Sequence, residues 1–492
     1  MGENVVGADA GLENLAARRG IYYQSFSIYK EVGGFFDYGP IGLKIKRNIE
    51  GMWRRVFIEE INSLEIESTL IMPEVVFKAS GHLASFSDPV INCSKCKKPS
   101  RADKILEEYY EKRGDMNGGR EVEGLDLKEL ESRILSLKIR CGYCGGEFAR
   151  VEDFNMMFKT QIGSLGGELG YLRPETAQGI FVDFRNLRNV YGLKLPVAIG
   201  QVGKVFRNEI SPRQHLLRLR EFTQMELEVF FDPSAEQKSL GWVELGAVLG
   251  TEIEFLPKGG GAAEMKTLGQ LLDDKLLPNR LFAFLLYLET RLFEHIGLGK
   301  ELFRFRAIDK PPHYSGGNVD IEVKTSYGYI EVSGNAYRTD YDLSSHAKTS
   351  GADISVADEN GKVVPHVVEA SIGLDRLFFA LLENSMRSDN EKGRAWLDLK
   401  ESVAPYRYAI FPLQKDEGLV KESMNLAKAF TNNGIHNYYS DAGSIGKRYA
   451  KADEIGVPHA ITVDFQTLQD GTVTVRDIRT TSQVRRKIEE IR

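Results

Sequence analysis

The stretch from Gly203 to Phe231, GKVFRNEISPRQHLLRLREFTQMELEVFF, decides how this chain is read. The apolar run LPVAIGQ leads into it, so the pattern is strand, charged loop, strand. The second strand alternates with period two. Thr223, Met225, Leu227, Val229 and Phe231 point one way, and Phe222, Gln224, Glu226, Glu228 and Phe230 the other. The first set is a core face. The second sets carboxylates between aromatics, a surface that is costly to cover unless a cation or a planar ligand lies on it. Phe222 and Glu226, four residues apart on that face, are separated by roughly 13 Å. Arg207, Arg213, Arg218 and Arg220 crowd the loop and its edges. Guanidinium groups present planar forks of donors that match phosphate oxygens. A nucleoside triphosphate suits such a hairpin, with arginines on the phosphates and Phe222 against a base. A solvated charged hairpin accounts for the same residues taken alone.

The totals bound the rest. A chain of 492 residues has room for two to four domains, and 42% apolar with 27% charged residues is ordinary for a globular protein. The formal charge of −6 excludes a protein that merely coats nucleic acid, so any RNA contact must use local patches and shape. No apolar run approaches ~20 residues, and the first residues lack a signal-peptide pattern. Val6 also breaks the myristoylation pattern that Met1-Gly2 begins. A cytoplasmic protein with no membrane and no DNA partner is expected.

All 4 cysteines fall in two knuckles, Cys93-Ser94-Lys95-Cys96 and Cys141-Gly142-Tyr143-Cys144, the second followed by Gly145-Gly146. Four thiolates suit tetrahedral zinc, with no ligand position left open, so the spacing predicts a structural site. Two disulfides are the alternative, disfavoured in a cytosolic chain. The gap between the knuckles carries charged helical segments, ADKILEEYYEKRGDMNGG and LDLKELESRILSLK, as an excursion from the cluster.

Phe206-Arg207-Asn208-Glu209, the loop, and Arg220-Glu221-Phe222 resemble motif 2 of the class II aminoacyl-tRNA synthetases. With RPETAQGIF (173–181) and LREFTQMELE (219–228), the resemblance is to their glycine-specific branch, of the archaeal and eukaryotic homodimeric type. A long amphipathic helix from about Ile41 to Glu60, followed by a β-like segment with Pro73, resembles motif 1, the dimer-interface element of that family; an edge strand broken by proline is the plainer account. HVVEASIGLDRLFFALLENS (366–385) resembles motif 3.

The resemblance implies ATP-dependent activation of glycine and its transfer to tRNA-Gly by a homodimer. It assigns catalytic roles to Arg207, Arg338 and Arg376, with Arg338 over the α-phosphate or the substrate carboxylate. It assigns ATP binding to Arg207, Asn208, Glu209, Arg218, Leu219, Phe222, Glu331, Val332 and Arg376, with Mg²⁺ held by Glu331. Glycine falls to Glu175, Glu226, Glu369, Ala370 and Ser371, and Cys93, Cys96, Cys141 and Cys144 are the zinc ligands that the spacing predicts.

The expected fold is α+β: a class II antiparallel-sheet catalytic domain with a zinc-knuckle insertion and a C-terminal α/β anticodon-binding domain. The catalytic domain occupies 1–90 (motif 1), 151–232 (motif 2) and 303–402 (motif 3). It is interrupted by the zinc insertion at 91–150 and a mostly helical insertion at 233–302, and 403–492 forms the C-terminal domain. There Lys447, Arg448, Lys451, Arg476, Arg479, Arg485, Arg486 and Lys487 form a basic cluster able to meet phosphates. A catalytically inactive paralogue would have lost site residues, and Arg207, Glu331 and Arg376 are all present. A class II enzyme for serine, threonine or proline would need a pocket without three glutamates. A zinc-ribbon RNA-binding module explains only the cysteines.

Overall fold

The computed structural model describes residues 8–491 except 30–31, 116–117, 119–120, 165, 211, 213–214, 309–314, 359–360, 390 and 392; Arg213 of the charged loop therefore lies outside the described residues. The main body is built on one nine-stranded sheet. In chain order its strands are β1 (Leu64–Glu65), β2 (Val197–Phe206), β3 (Glu221–Phe231), β4 (Glu252–Leu256), β5 (Glu264–Thr267), β6 (Phe303–Ala307), β7 (Asn318–Thr325), β8 (Gly328–Thr339) and β9 (His366–Gly373). Across the sheet they run β5-β4-β6-β7-β8-β9-β3-β2-β1, and the central pairs from β6 to β2 are all antiparallel.

The helices α1 (Ala8–Arg19), α2 (Pro40–Arg54), α3 (Ala177–Tyr191), α4 (Arg280–Ile296), α5 (Tyr341–Ser350) and α6 (Leu374–Ser385) cover the sheet. Met225, Leu227 and Val229 enter the large core shared with α1, α2, α4 and α6, as their alternation predicts. Phe230, from the other face, stacks on Phe184 of α3 at 4.3 Å between ring centroids. β3 is thus buried on both sides beyond Phe222, because helices close over the acidic face as well.

Two expectations are corrected here. The segment 233–302 is no separate helical insertion: it supplies β4 and β5 to the main sheet, and α4 lies in the main core. Leu281, Phe282, Ala283, Phe284, Leu285 and Leu286 are all buried, so the first turns of α4 are apolar all round. The β-like segment around Pro73 is a strand only over Ile71–Pro73. Pro73 ends it at φ −61° and ψ 151° and opens the helix Glu74–Ala79, a position where its missing N–H costs nothing.

The cysteine region is a small body with its own core of Ile91, Leu106, Leu130, Ile134, Phe148 and Val151. Strand Ser87–Cys93 pairs with Phe148–Asn155, and the helices Ala102–Glu111 and Leu127–Ser136 pack over them. Asp126 and Glu129 form a reciprocal cap at the start of the second helix.

Beyond residue 403 lies an α/β layer with β10 (Tyr408–Pro412), α7 (Glu417–Asn432), β11 (Asn437–Tyr439), α8 (Ile445–Glu454), β12 (His459–Val463), β13 (Thr472–Asp477) and β14 (Gln483–Lys487). Its order is β11-β10-β12-β13-β14, parallel through the first three and antiparallel at the other edge. Arg18 and Arg19 of α1 pair with Glu454, tying this layer to the main body. The basic cluster is smaller than the sequence suggests. Arg448 is buried against the Pro412 carbonyl, Arg476 pairs with Asp453 at 2.7 Å, Arg479 with Asp398, and Arg485 with Asp464 at 2.7 Å. Lys447, Lys451, Arg486 and Lys487 remain exposed.

Candidate active site

Above β3, β8 and β9 the sheet opens into a cavity whose two halves differ in chemistry. One half is lined by Arg207, Glu209, Arg218, Leu219, Phe222, Glu331, Val332 and Arg376, the other by Glu175, Glu226, Glu369 and Ser371. The hairpin brings the first half together because its strands pair from Val197↔Phe230 to Phe206↔Glu221, which carries Arg207 to the end of the ladder beside Phe222. Arg207 donates from Nε to the Pro174 carbonyl at 3.1 Å, and its guanidinium carbon lies 5.3 Å from the Phe222 ring centroid and 5.4 Å from that of Phe86. Its terminal nitrogens have no hydrogen-bond partner among the described residues. Arg376, in the first turn of α6, donates to the carbonyls of Leu217 and Glu331, each at 3.0 Å, which holds its fork across the same opening. Beneath Phe222, Asp375 accepts from Lys46 at 3.1 Å and from the Thr223 amide at 2.5 Å, locking β3 to α2 and α6.

The acidic half is set by strand register. Ser371 lies opposite Glu226 and donates to it at 2.6 Å; Thr176 adds its amide at 2.8 Å and its hydroxyl. Gly334 and Ala336 of β8 face Ser371 and Glu369, so small residues leave the volume open there. The segment holding Glu175 and Thr176 is pinned by Arg173, which donates to Ser68 and to the Lys204 carbonyl. Gly203 must be glycine for this: a Cβ there would lie 2.1 Å from the Arg173 guanidinium.

Arg338 corrects an expectation. It is 1% exposed and does not line the cavity. Below the floor it bonds Asp342 at 2.7 Å, Glu369 at 2.5 Å and Glu175 at 3.4 Å, too deep and too fully engaged to lie over a phosphate. Burial opposes ionisation of Glu175, yet Arg338 and His82 hold its carboxyl well below the usual carboxylate range. Burial pushes Glu369 up to about 8, against the pull of Arg338 and with the help of Glu226 and Glu175. Glu226 is raised by burial and by Glu175. Two further predicted residues lie off the cavity. Ala370 faces the opposite side, in the main core, and Asn208 donates its backbone N–H to the Met156 carbonyl at 2.7 Å.

The sequence reading missed Asn318 and Asp320 of β7, which line the cavity beside Glu331. Their signal was the alternation in NVDIEVKT, which puts Asn318 and Asp320 on one face. Burial and the Glu331 charge raise Asp320 to about 8, the mark of a carboxylate short of a cation. Glu209 Oε2, Gln224 Oε1 and Asn318 Oδ1 are buried acceptors without a donor among the described residues, and all three residues line the cavity. Such atoms fit a ligand that brings amino groups or a hard cation.

In the cysteine body the four sulfurs lie within 4.8 Å of one another, with Cys93 and Cys144 at 3.5 Å and Cys96 and Cys141 at 3.7 Å. Zn–S bonds of about 2.3 Å in a tetrahedron require S···S separations of about 3.8 Å. The cluster fits zinc, and all four thiols are free. A Cβ on Gly146 would come 3.1 Å from Cys93 Sγ and 3.3 Å from Cys144 Sγ, so the second glycine after the knuckle keeps the sulfurs accessible to one another.

The sheet, the motifs and the two-sided cavity define a class II aminoacyl-tRNA synthetase. Residues 158–244 match the tRNA synthetase class II core domain (G, H, P, S and T), and residues 408–492 match the anticodon binding domain. The chain is 36% identical to the glycine-tRNA ligase of Methanocaldococcus jannaschii, spanning 97% of this chain and 96% of that protein. It is 38% identical to that of Pyrococcus furiosus, spanning 98% and 97%. The chain belongs to the glycine-tRNA ligase family.

Proposed function

We propose that this protein attaches glycine to tRNA-Gly in two steps: ATP and glycine form glycyl-adenylate with release of diphosphate, then the glycyl group passes to the terminal ribose with release of AMP. The observation that carries this reading is the single cavity in which three glutamates and Ser371 adjoin an arginine- and aromatic-lined half. Glu175, Glu226 and Glu369, with Ser371, grip the glycine ammonium; their bulk and the depth of the floor exclude a side chain on the α-carbon. Steric exclusion rejects alanine better than an unfilled larger pocket would. Phe222 and Arg376 hold the adenine between them, Glu209 accepts from its edge, and Arg218 takes the outer phosphates. The substrate carboxylate is itself the nucleophile, so the protein contributes positioning and charge: Arg207 meets the α-phosphate as negative charge builds on it. Glu331, with Asp320 and Asn318 beside it, offers hard oxygen ligands for Mg²⁺, which would neutralise the triphosphate.

Amino-acid-dependent ATP–pyrophosphate exchange, without tRNA and with each of the twenty amino acids, tests this reading. Exchange with glycine alone is expected. Exchange with a different amino acid would overturn the pocket assignment, and silence with all twenty would point to a non-catalytic paralogue.

Structural zinc on Cys93, Cys96, Cys141 and Cys144 belongs to the same reading, and about one zinc per chain is expected by metal analysis. Cys96→Ser and Cys144→Ser should each lose it and lower the melting temperature of the small body, since zinc-binding energy is folding energy. Full zinc retention in either variant would remove the cluster as the ligand set. A homodimer is supported by the exposed apolar residues Ile71, Ile162 and Leu169 on the small sheet Ile71–Pro73, Lys159–Ile162 and Glu168–Leu172, with Leu70 and Val75 flanking its first strand. A cytoplasmic site of action follows from the substrates; among the described residues no helix is long and apolar enough to cross a membrane.

A further inference from the structure

One carboxylate on the acidic face of β3 has no place in the reaction as derived. Glu228 is 0% exposed, and neither of its carboxylate oxygens meets a hydrogen-bond donor among the described residues. Its surroundings are fixed by register. On β2 it faces Ile199; on β9 it faces Glu369, the pocket glutamate. Directly opposite side chains on an antiparallel pair are about 5 Å apart at Cβ, and like charges there repel. The charged groups turned toward Glu228 are Glu226 on its own strand, Glu369 on β9, Arg338 on β8 and Asp342 at the start of α5. Arg338, the one cation in that set, is already bonded to Glu175, Glu369 and Asp342. A neighbouring carboxylate with a fourth negative charge and no donor is not sustained in a dry interior; a carboxyl group that keeps its proton is. Burial and Glu369 both raise Glu228 well above the usual carboxylate range.

We propose that Glu228 is a proton-holding positioning residue of the amino-acid pocket: in the empty pocket it shares a proton with Glu369 across the β3–β9 ladder, and the incoming glycine ammonium displaces that proton to solvent. The inference rests on the reading that Glu369 grips the ammonium. The balance is simple. The ammonium keeps its three N–H bonds, the O–H bond of the carboxyl pair breaks, and the proton goes to buffer. One positive charge enters as one leaves, so the net charge of the pocket is unchanged, and its carboxylates are all bare only while the ammonium is among them. Below the pKa of the pair, glycine binding tightens with rising pH, by up to about tenfold per unit, and levels off above it.

The test uses the full-length, zinc-loaded protein. Calorimetric titration with glycine in buffers of different ionisation enthalpy counts the protons released, and exchange assays give the glycine KM from pH 6 to 8. The wild type is expected to release about one proton per glycine, with a KM that falls at least about tenfold over that range. In Glu228→Gln, an amide N–H donates to Glu369 permanently. Proton release should then drop below half, and KM should change less than about threefold. Glu228→Leu, which offers no donor, should bind glycine more weakly at every pH. A wild type that binds glycine without releasing a proton overturns the inference without any variant. So does a Gln variant that keeps the wild-type pH profile. A folded wild type that fails to bind glycine at all sinks the pocket reading instead.

Discussion

Arg207→Ala is expected to lower glycine-dependent ATP–pyrophosphate exchange by on the order of 10²–10³-fold while leaving the melting temperature nearly unchanged. The size of the effect follows from where the guanidinium sits. Its terminal nitrogens face the cavity between Phe86 and Phe222, and a fixed donor aimed at developing charge acts mainly in the transition state. The loss should therefore fall on kcat, with the glycine KM changing little. Stability is spared because the side chain makes a single bond to the fold, from Nε to the Pro174 carbonyl. Arg207→Lys keeps the charge and loses the planar fork, so it should recover only part of the rate. Near-normal exchange in the alanine variant would remove Arg207 from the mechanism.

How far the sequence led depended on how locally each feature is encoded. The hairpin was legible because its strands, its arginines and its acidic face lie within one contiguous stretch, and alternation alone assigns the faces of β3. The cysteine cluster was legible for the same reason: each knuckle is a four-residue unit. The partners of Arg338 were not. Asp342 is four residues on in sequence, but Glu175 and Glu369 reach it only through the pairing of β8 with β9 and the course of the chain before α3. Residues 233–302 misled because α4 dominates their pattern, while β4 and β5 are short and become strands only by joining the edge of the sheet. The basic cluster near the C terminus misled in another way. A count of arginines does not reveal that Asp453 and Asp464 lie beneath them.

Arg338→Met should destabilise the protein by about 3–5 kcal/mol at pH 8, because it strips the cation from buried carboxylates and leaves the methylene stem in place. The pH dependence identifies the cause. In the wild type Arg338 helps hold Glu175 below its ordinary range, so that glutamate contributes stability which is present above about pH 4.5 and would be lost only in acid. Without the guanidinium, Glu175 loses the cation that lowers it and Glu369 is raised further. Groups raised in the folded state favour folding fully below their unfolded pKa, and that favour is lost as pH climbs through the folded one. The deficit of the variant relative to wild type should accordingly be smallest near pH 4.5 and grow through pH 8. Its glycine KM should rise at least about tenfold, since Glu175 and Glu369 lose the group that orients them. Arg338→Lys should rescue little, because a single ammonium does not span the positions of three carboxylates. Denaturation midpoints measured from pH 5 to pH 8 decide between a support beneath the floor and a direct contact. Full stability at every pH with exchange abolished would return Arg338 to the substrate. A deficit that widens with pH keeps it under the glutamates, as the cation that lets them stand charged around the ammonium of glycine.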